Sequence, residues 1–185
     1  DKTAYTANLV AKVAGATVAT VALKQAAPTS GSGYAKIEKI ADLKEGTGYL
    51  AGLVNGKYQT WTGVLTNKQC ETVPYSYTEA TGAFVADDAA EISLVAVSGV
   101  SNAYYIKYGE KYLTVGAAGK NQLVLADSAG DNYWTFTDDT DGVKATAKAF
   151  ASIMMTSTGA ASKYIRSYVT TNTSGVAGVV FFLAK

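Results

Sequence analysis

The chain has 185 residues, of which 48% are hydrophobic and 17% charged, with 16 basic against 15 acidic side chains and a net charge of +1. That balance excludes a disordered chain and is long enough for one sizeable core; basic residues scattered without a stripe argue against nucleic acid as a partner. Histidine is absent and cysteine occurs once, at Cys70, which removes the commonest general base and metal ligand, any internal disulfide and any thiolate metal cluster.

Thirteen Tyr, 18 Gly and two Pro, with many Thr and Val, suit strands and turns better than helices. No apolar run reaches the roughly 20 residues of a membrane span. The chain begins at Asp1, so the lack of a visible signal sequence carries no information on targeting. Residues 9–13 and 18–23 alternate apolar with small or polar side chains around Gly15. This predicts a hairpin or two successive strands over residues 1–25, an arm or the remnant of an upstream domain. Residues 26–33, AAPTSGSG, have linker composition. A main domain is predicted over 34–185. Its opening residues Ile37, Ile40 and Leu43 fit one helical turn or a lead-in strand.

A repeat follows. Lys-Tyr recurs at Tyr58, Tyr112 and Tyr164, spaced 54 and 52 residues apart, each time after an apolar run (49–54, 104–108 and 153–156). Each copy closes on a strongly apolar strand, at 92–95, 134–136 and 179–182. The first copy carries an extra segment over 63–90, and the third lacks an obvious third strand. A single hairpin unit cannot bury its apolar face, and an open sheet leaves reactive edges. Three units around an axis share one core, so the repeats predict a β-trefoil-like closed barrel with pseudo-threefold symmetry. An irregular antiparallel β-barrel or sandwich is the alternative.

The segments YYIKYGEKYLTV, LVLAD and YWTF, followed by SKYIRSY and GVVFFLAK, resemble a domain common in secreted or surface proteins of gut Bacteroidetes. The lead-in KIEKIADLKEGTGYLAG resembles the start of that domain, and the likeness covers residues 34–185. It implies a location outside the cytoplasm and no catalytic signature. A wider resemblance is to ricin-type carbohydrate-binding trefoils, whose repeats end in Gln-X-Trp. Asn132-Tyr133-Trp134 stands at that place here, the other two copies have no Trp at the corresponding place, and no binding residue is carried across.

Candidate chemistry is sparse. Asp138, Asp139 and Asp141 before Gly142 offer oxygens for Ca²⁺, but Lys148 and Ala149 stand where a calcium loop needs its Glu. The segment is read as a tight hairpin corner, and Asp87-Asp88 likewise as an acidic turn. Ser and Thr have no His partner, and Ser162-Lys163 would point to opposite faces of a strand, so no enzyme is expected. Gly116 to Lys120 lacks the spacing, the Ser or Thr and the following helix of a phosphate loop; it is read as a hairpin turn before a strand at 122–126. The aromatic set Tyr58, Trp61, Tyr75, Tyr77, Tyr105, Tyr133 and Tyr168 is the best functional material. The repeated Tyr58, Tyr112 and Tyr164 are expected half-buried in the shared core. Trp61, Tyr75 and Tyr77 lie in or near the extra segment, where elaborations of a regular frame carry function. With Tyr58 they are the candidate ligand-binding residues; no metal and no cofactor is expected.

The expected function is a non-catalytic extracellular binding module for carbohydrate. The alternative is a structural or adhesion domain that docks a protein partner or a neighbouring domain. Protease inhibition is a weaker third, since neither disulfide nor proline stiffens a loop. The expected partner is a glycan or a cell-surface protein, at the cell surface, outside it or in the periplasm. The chain is expected to be a monomer, or a weak dimer through the N-terminal arm.

Overall fold

The computed structural model describes residues 5–14, 16–25, 33–54, 57–158, 164–172 and 176–185. They fall into two compact units, 1–32 and 33–185. The first holds β1 (Tyr5–Val13) and β2 (Ala16–Gln25). These pair antiparallel from Tyr5 opposite Gln25 to Val13 opposite Ala16, with one irregularity at Ala11 and Lys12. Their Val and Thr residues favour extended backbone, which decides against an Ala-rich helix. Gly15 and all of the predicted linker except Gly33 lie outside the described residues, as do Asn55-Gly56 and Ser162-Lys163.

The second unit is all-β. In chain order its strands are β3 (Tyr34–Ile37), β4 (Gly46–Val54), β5 (Lys57–Thr66), β6 (Gln69–Pro74), β7 (Ser76–Thr78), β8 (Ala83–Val85) and β9 (Glu91–Ala96). Then come β10 (Ala103–Tyr108), β11 (Lys111–Val115), β12 (Leu123–Ala126), β13 (Trp134–Asp139) and β14 (Gly142–Ala147). The chain finishes with β15 (Ile153–Thr158), β16 (Tyr164–Val169), β17 (Val176–Ala177) and β18 (Val179–Ala184). Fourteen of these form one antiparallel sheet, and β7 and β8 pair separately. The lead-in combines both predicted forms: Ile37 ends a strand and Ile40 opens a short 3-10 turn, Ile40–Asp42. Among the described residues no helix is long and apolar enough to cross a membrane.

One pairing pattern recurs along the sheet. β4 pairs β5 and β9, and β5 pairs β6. β10 pairs β11 and β13, and β11 pairs β12. β14 pairs β15 and β18, and β15 pairs β16. The closing strand of each set bonds to the opening strand of the next: β9 to β10, β13 to β14, and β18 back to β4. At the three junctions Leu94 faces Ile106, Phe136 faces Ala145 and Phe181 faces Leu50, and none of the six is more than 2% exposed. Burying the five larger of these side chains stabilises the fold by about 1.5–3 kcal/mol each.

The third Lys-Tyr does not occupy the place of the first two. Tyr58 and Tyr112 lie on β5 and β11, the second strands of their sets, whereas Tyr164 lies on β16, a third strand. The opening strand of that set is β14, whose inward residues Val143, Ala145 and Ala147 are too small to stand out as an apolar run. Tyr58 is also not half-buried as the repeat predicts, but 58% exposed.

Candidate functional site

β18 reads VVFFLA and is buried along five of its six residues. Successive strand residues point to opposite faces, so a continuous apolar run implies cover on both. Val179, Phe181 and Leu183 enter the main core, while Val180 and Phe182 join a second cluster with Ala51. Its cover is the β7–β8 hairpin, the extra segment of the first set. The Phe182 ring lies 5.0 Å from Tyr75, 4.7 Å from Tyr77 and 4.7 Å from Phe84. Tyr49 stacks on Phe84 at 4.5 Å and 13°. The hairpin is pinned by Tyr77, whose hydroxyl donates to the Tyr34 carbonyl at 3.0 Å, and by the Tyr34 N–H, which donates to the Gly82 carbonyl at 2.8 Å. Gly48 allows this packing, because a Cβ there would collide with the Phe182 carbonyl.

On this support stands the exposed ring of Tyr58, 5.7 Å from the half-buried ring of Tyr75. Lys36 Nζ lies 5.8 Å from the Tyr58 ring centroid and pairs with Glu38 at 2.6 Å. Burial pushes the Tyr75 hydroxyl well above the ordinary tyrosine range, with smaller contributions from Tyr58 and Glu38. Tyr49 is raised to about 12, first by burial and then by the Tyr34 hydroxyl and the charge of Glu91. Both phenols therefore stay neutral at any ordinary pH, and the face combines a fixed aromatic surface with one ammonium and one carboxylate. Such a surface offers an aromatic face for stacking and a charged pair for hydrogen bonding.

The four candidate residues therefore do not form one platform. Tyr58 and Tyr75 meet, and Tyr77 packs beneath the hairpin. Trp61 is fully buried, its ring 5.2 Å from Tyr108 and its Nε1–H donating to the Val64 carbonyl at 2.9 Å. Trp61 stands three residues from Tyr58 and so on the opposite face of β5, and the strand turns irregular just beyond it, between Trp61 and Leu65, where Gly63 takes φ 86°. Lys36 and Glu38 reach the face from outside the repeats, and no local pattern marks them. Elsewhere, Asp138 accepts the Ile40 N–H at 2.7 Å, so the acidic corner anchors the 3-10 turn. Among the described residues no group of three or more His, Cys, Asp and Glu is arranged to hold a metal ion. Cys70 is buried, and desolvation pushes its thiol up, away from the reactive thiolate.

In comparison with known proteins, no family model matches the chain, and neither does any curated protein.

Proposed function

We propose that residues 33–185 are a β-trefoil-like closed barrel serving as a non-catalytic, extracellular carbohydrate-binding module. The barrel reading is supported by the pairing circuit that leaves β4 and returns to it through β9, β10, β13, β14 and β18. The binding reading is carried by one observation: a tyrosine more than half exposed, Tyr58, held over a packed aromatic layer beside Lys36 and Glu38. A large ring held on one side by Tyr75 and open to water on the other offers a stacking surface. The location is inferred from the resemblance to secreted and surface domains.

A glycan array with the full chain tests this, with Tyr58→Ala beside wild type. A specific hit lost in Tyr58→Ala supports the module. A blank from folded wild-type protein sinks it and favours the adhesion reading, for which the exposed Val64 and Tyr108 flanking Gly63 are the starting surface.

A further inference from the structure

Two cations, Arg166 and Lys120, meet at one ring on β16, and a third, Lys68, sits on the loop that carries Lys120. On β16 the buried residues Ile165 and Ser167 alternate with the half-buried Tyr164, Arg166 and Tyr168. The Arg166 guanidinium lies 4.9 Å from the centroid of the Tyr168 ring, and Lys120 Nζ lies 5.9 Å from the same centroid. Lys120 is brought there by the β11–β12 loop, which is fixed to β16. Ser167 Oγ accepts the Gln122 N–H at 2.7 Å and donates to the Gly119 carbonyl at 3.0 Å, and the Asn121 N–H donates to the Ser167 carbonyl at 3.1 Å. The β5–β6 turn docks on the same loop, with Lys68 Nζ donating to Gln122 Oε1 at 3.1 Å.

No carboxylate balances these charges. Every acidic residue of 33–185 is described, and none ion-pairs with Lys68, Lys120 or Arg166. Glu71, which faces Tyr164 from β6, accepts from Thr66 Oγ1 at 3.4 Å instead. Arg166 Nε and Asn121 Oδ1 are buried without a hydrogen-bond partner. A half-buried guanidinium with an unpaired N–H, packed against a tyrosine ring and set beside a second cation that no carboxylate pairs, is an uncompensated charge that an oxyanion would satisfy.

We propose that Arg166, Lys120 and Tyr168 form a second binding site, which takes the carboxylate or sulfate group of an acidic saccharide. The charge of the ligand follows from the unpaired cations; its being a saccharide rests on the function proposed above. Arg166 holds the oxyanion through its planar fork of N–H donors, the Tyr168 ring helps to fix where the fork lies, and Lys120 adds a point charge at the rim.

The test is an NMR titration of the full ¹⁵N-labelled chain with a sulfated, uronate-containing disaccharide. Its desulfated, its carboxyl-reduced and its fully neutral counterparts serve as separate arms and show which oxyanion is bound. Expected are shifts confined to Arg166 Nε–H and the amides of 119–122 and 166–168, together with an affinity that falls as salt rises. Arg166→Gln should weaken binding by about tenfold or more, and the neutral disaccharide should do no better. Lys120→Gln, at an exposed position, should weaken it several-fold and carries the test if Arg166→Gln does not fold. Equal binding of charged and neutral disaccharides, or undiminished binding in the folded variants, overturns the proposal. Inorganic sulfate binding at Arg166 while every disaccharide fails overturns the saccharide assignment. Array hits that depend on Tyr58 with no shifts at Arg166 sink this site alone; the reverse sinks only the Tyr58 site.

Discussion

Trp61 and Tyr58 stand three positions apart on β5 and do opposite work. Trp61 fills the core, and truncating it to Ala should cost about 3–5 kcal/mol. Tyr58→Ala removes an exposed ring and should change stability by no more than about 0.5 kcal/mol. Urea unfolding of the two variants checks both values, and it guards the binding experiment against a variant that fails merely because it has unfolded. The buried phenols add a pH signature. Tyr49 titrates near 12 in the folded chain against 10.0 when unfolded, so the unfolded chain loses its proton first. The stability that this neutral phenol contributes is whole below pH 10 and is lost as pH rises through 12. Tyr75 shifts in the same direction and extends the loss upward, and Cys70 begins it from its ordinary value of 9.0. Urea midpoints measured from pH 8 to 12 should therefore fall, and more gently in Tyr49→Phe; an identical slope in wild type and variant would refute this assignment.

β18 shows how an element records its surroundings. Its unbroken apolar run announces burial on both faces, yet nothing in the run says what covers the outer one. The cover is the β7–β8 hairpin, so the segment that looks like a functional elaboration is first a structural lid. Replacing residues 76–85 by a Gly/Ser loop should uncover Val180 and Phe182. The expected result is a lower urea midpoint and new binding of a hydrophobic dye, whereas an unchanged midpoint would show the hairpin to be ornamental. The slipped third repeat has a similar origin. Tyr58, Tyr112 and Tyr164 each stand at the start of a strand that pairs antiparallel with the strand before it, and both second and third strands of a set begin in that way. Only the pairing of β16 with β6 and β15 tells them apart.

In the larger unit, first and last strands are neighbours. β18 bonds to both β3 and β4, and the Lys185 N–H donates to the Gly33 carbonyl at 3.1 Å. Ends this close allow circular permutation. A version of 33–185 joined through a short linker and reopened in the exposed 98–101 turn should fold with a single cooperative transition. Deleting 179–185 should abolish that transition, because it removes the strand shared by the first and third sets. So many pairings between distant residues also predict folding on the millisecond-to-second scale, to be read by stopped-flow fluorescence of the two tryptophans.

Composition and period 2 patterning determine the all-β class, the two strands within residues 1–25, the strand runs at 49–54, 92–95, 104–108, 122–126, 134–136, 153–156 and 179–182 and the turns after Gly116 and before Gly142, because these depend on each residue's own backbone preference and on its near neighbours. The absence of histidine and the single cysteine likewise limit the chemistry before any fold is known. Which tyrosine faces water is a different kind of fact. Tyr58 and Trp61, three residues apart on β5, point to opposite faces by strand alternation, but only the packing of the other strands decides which face is covered, and Tyr108 closes over Trp61 while Tyr58 stays open to water. Lys36 comes to Tyr58, and Lys120 to Arg166, from segments more than 20 residues away. Burial and charge compensation are set by contacts between distant residues, so both candidate sites exist only in the tertiary structure.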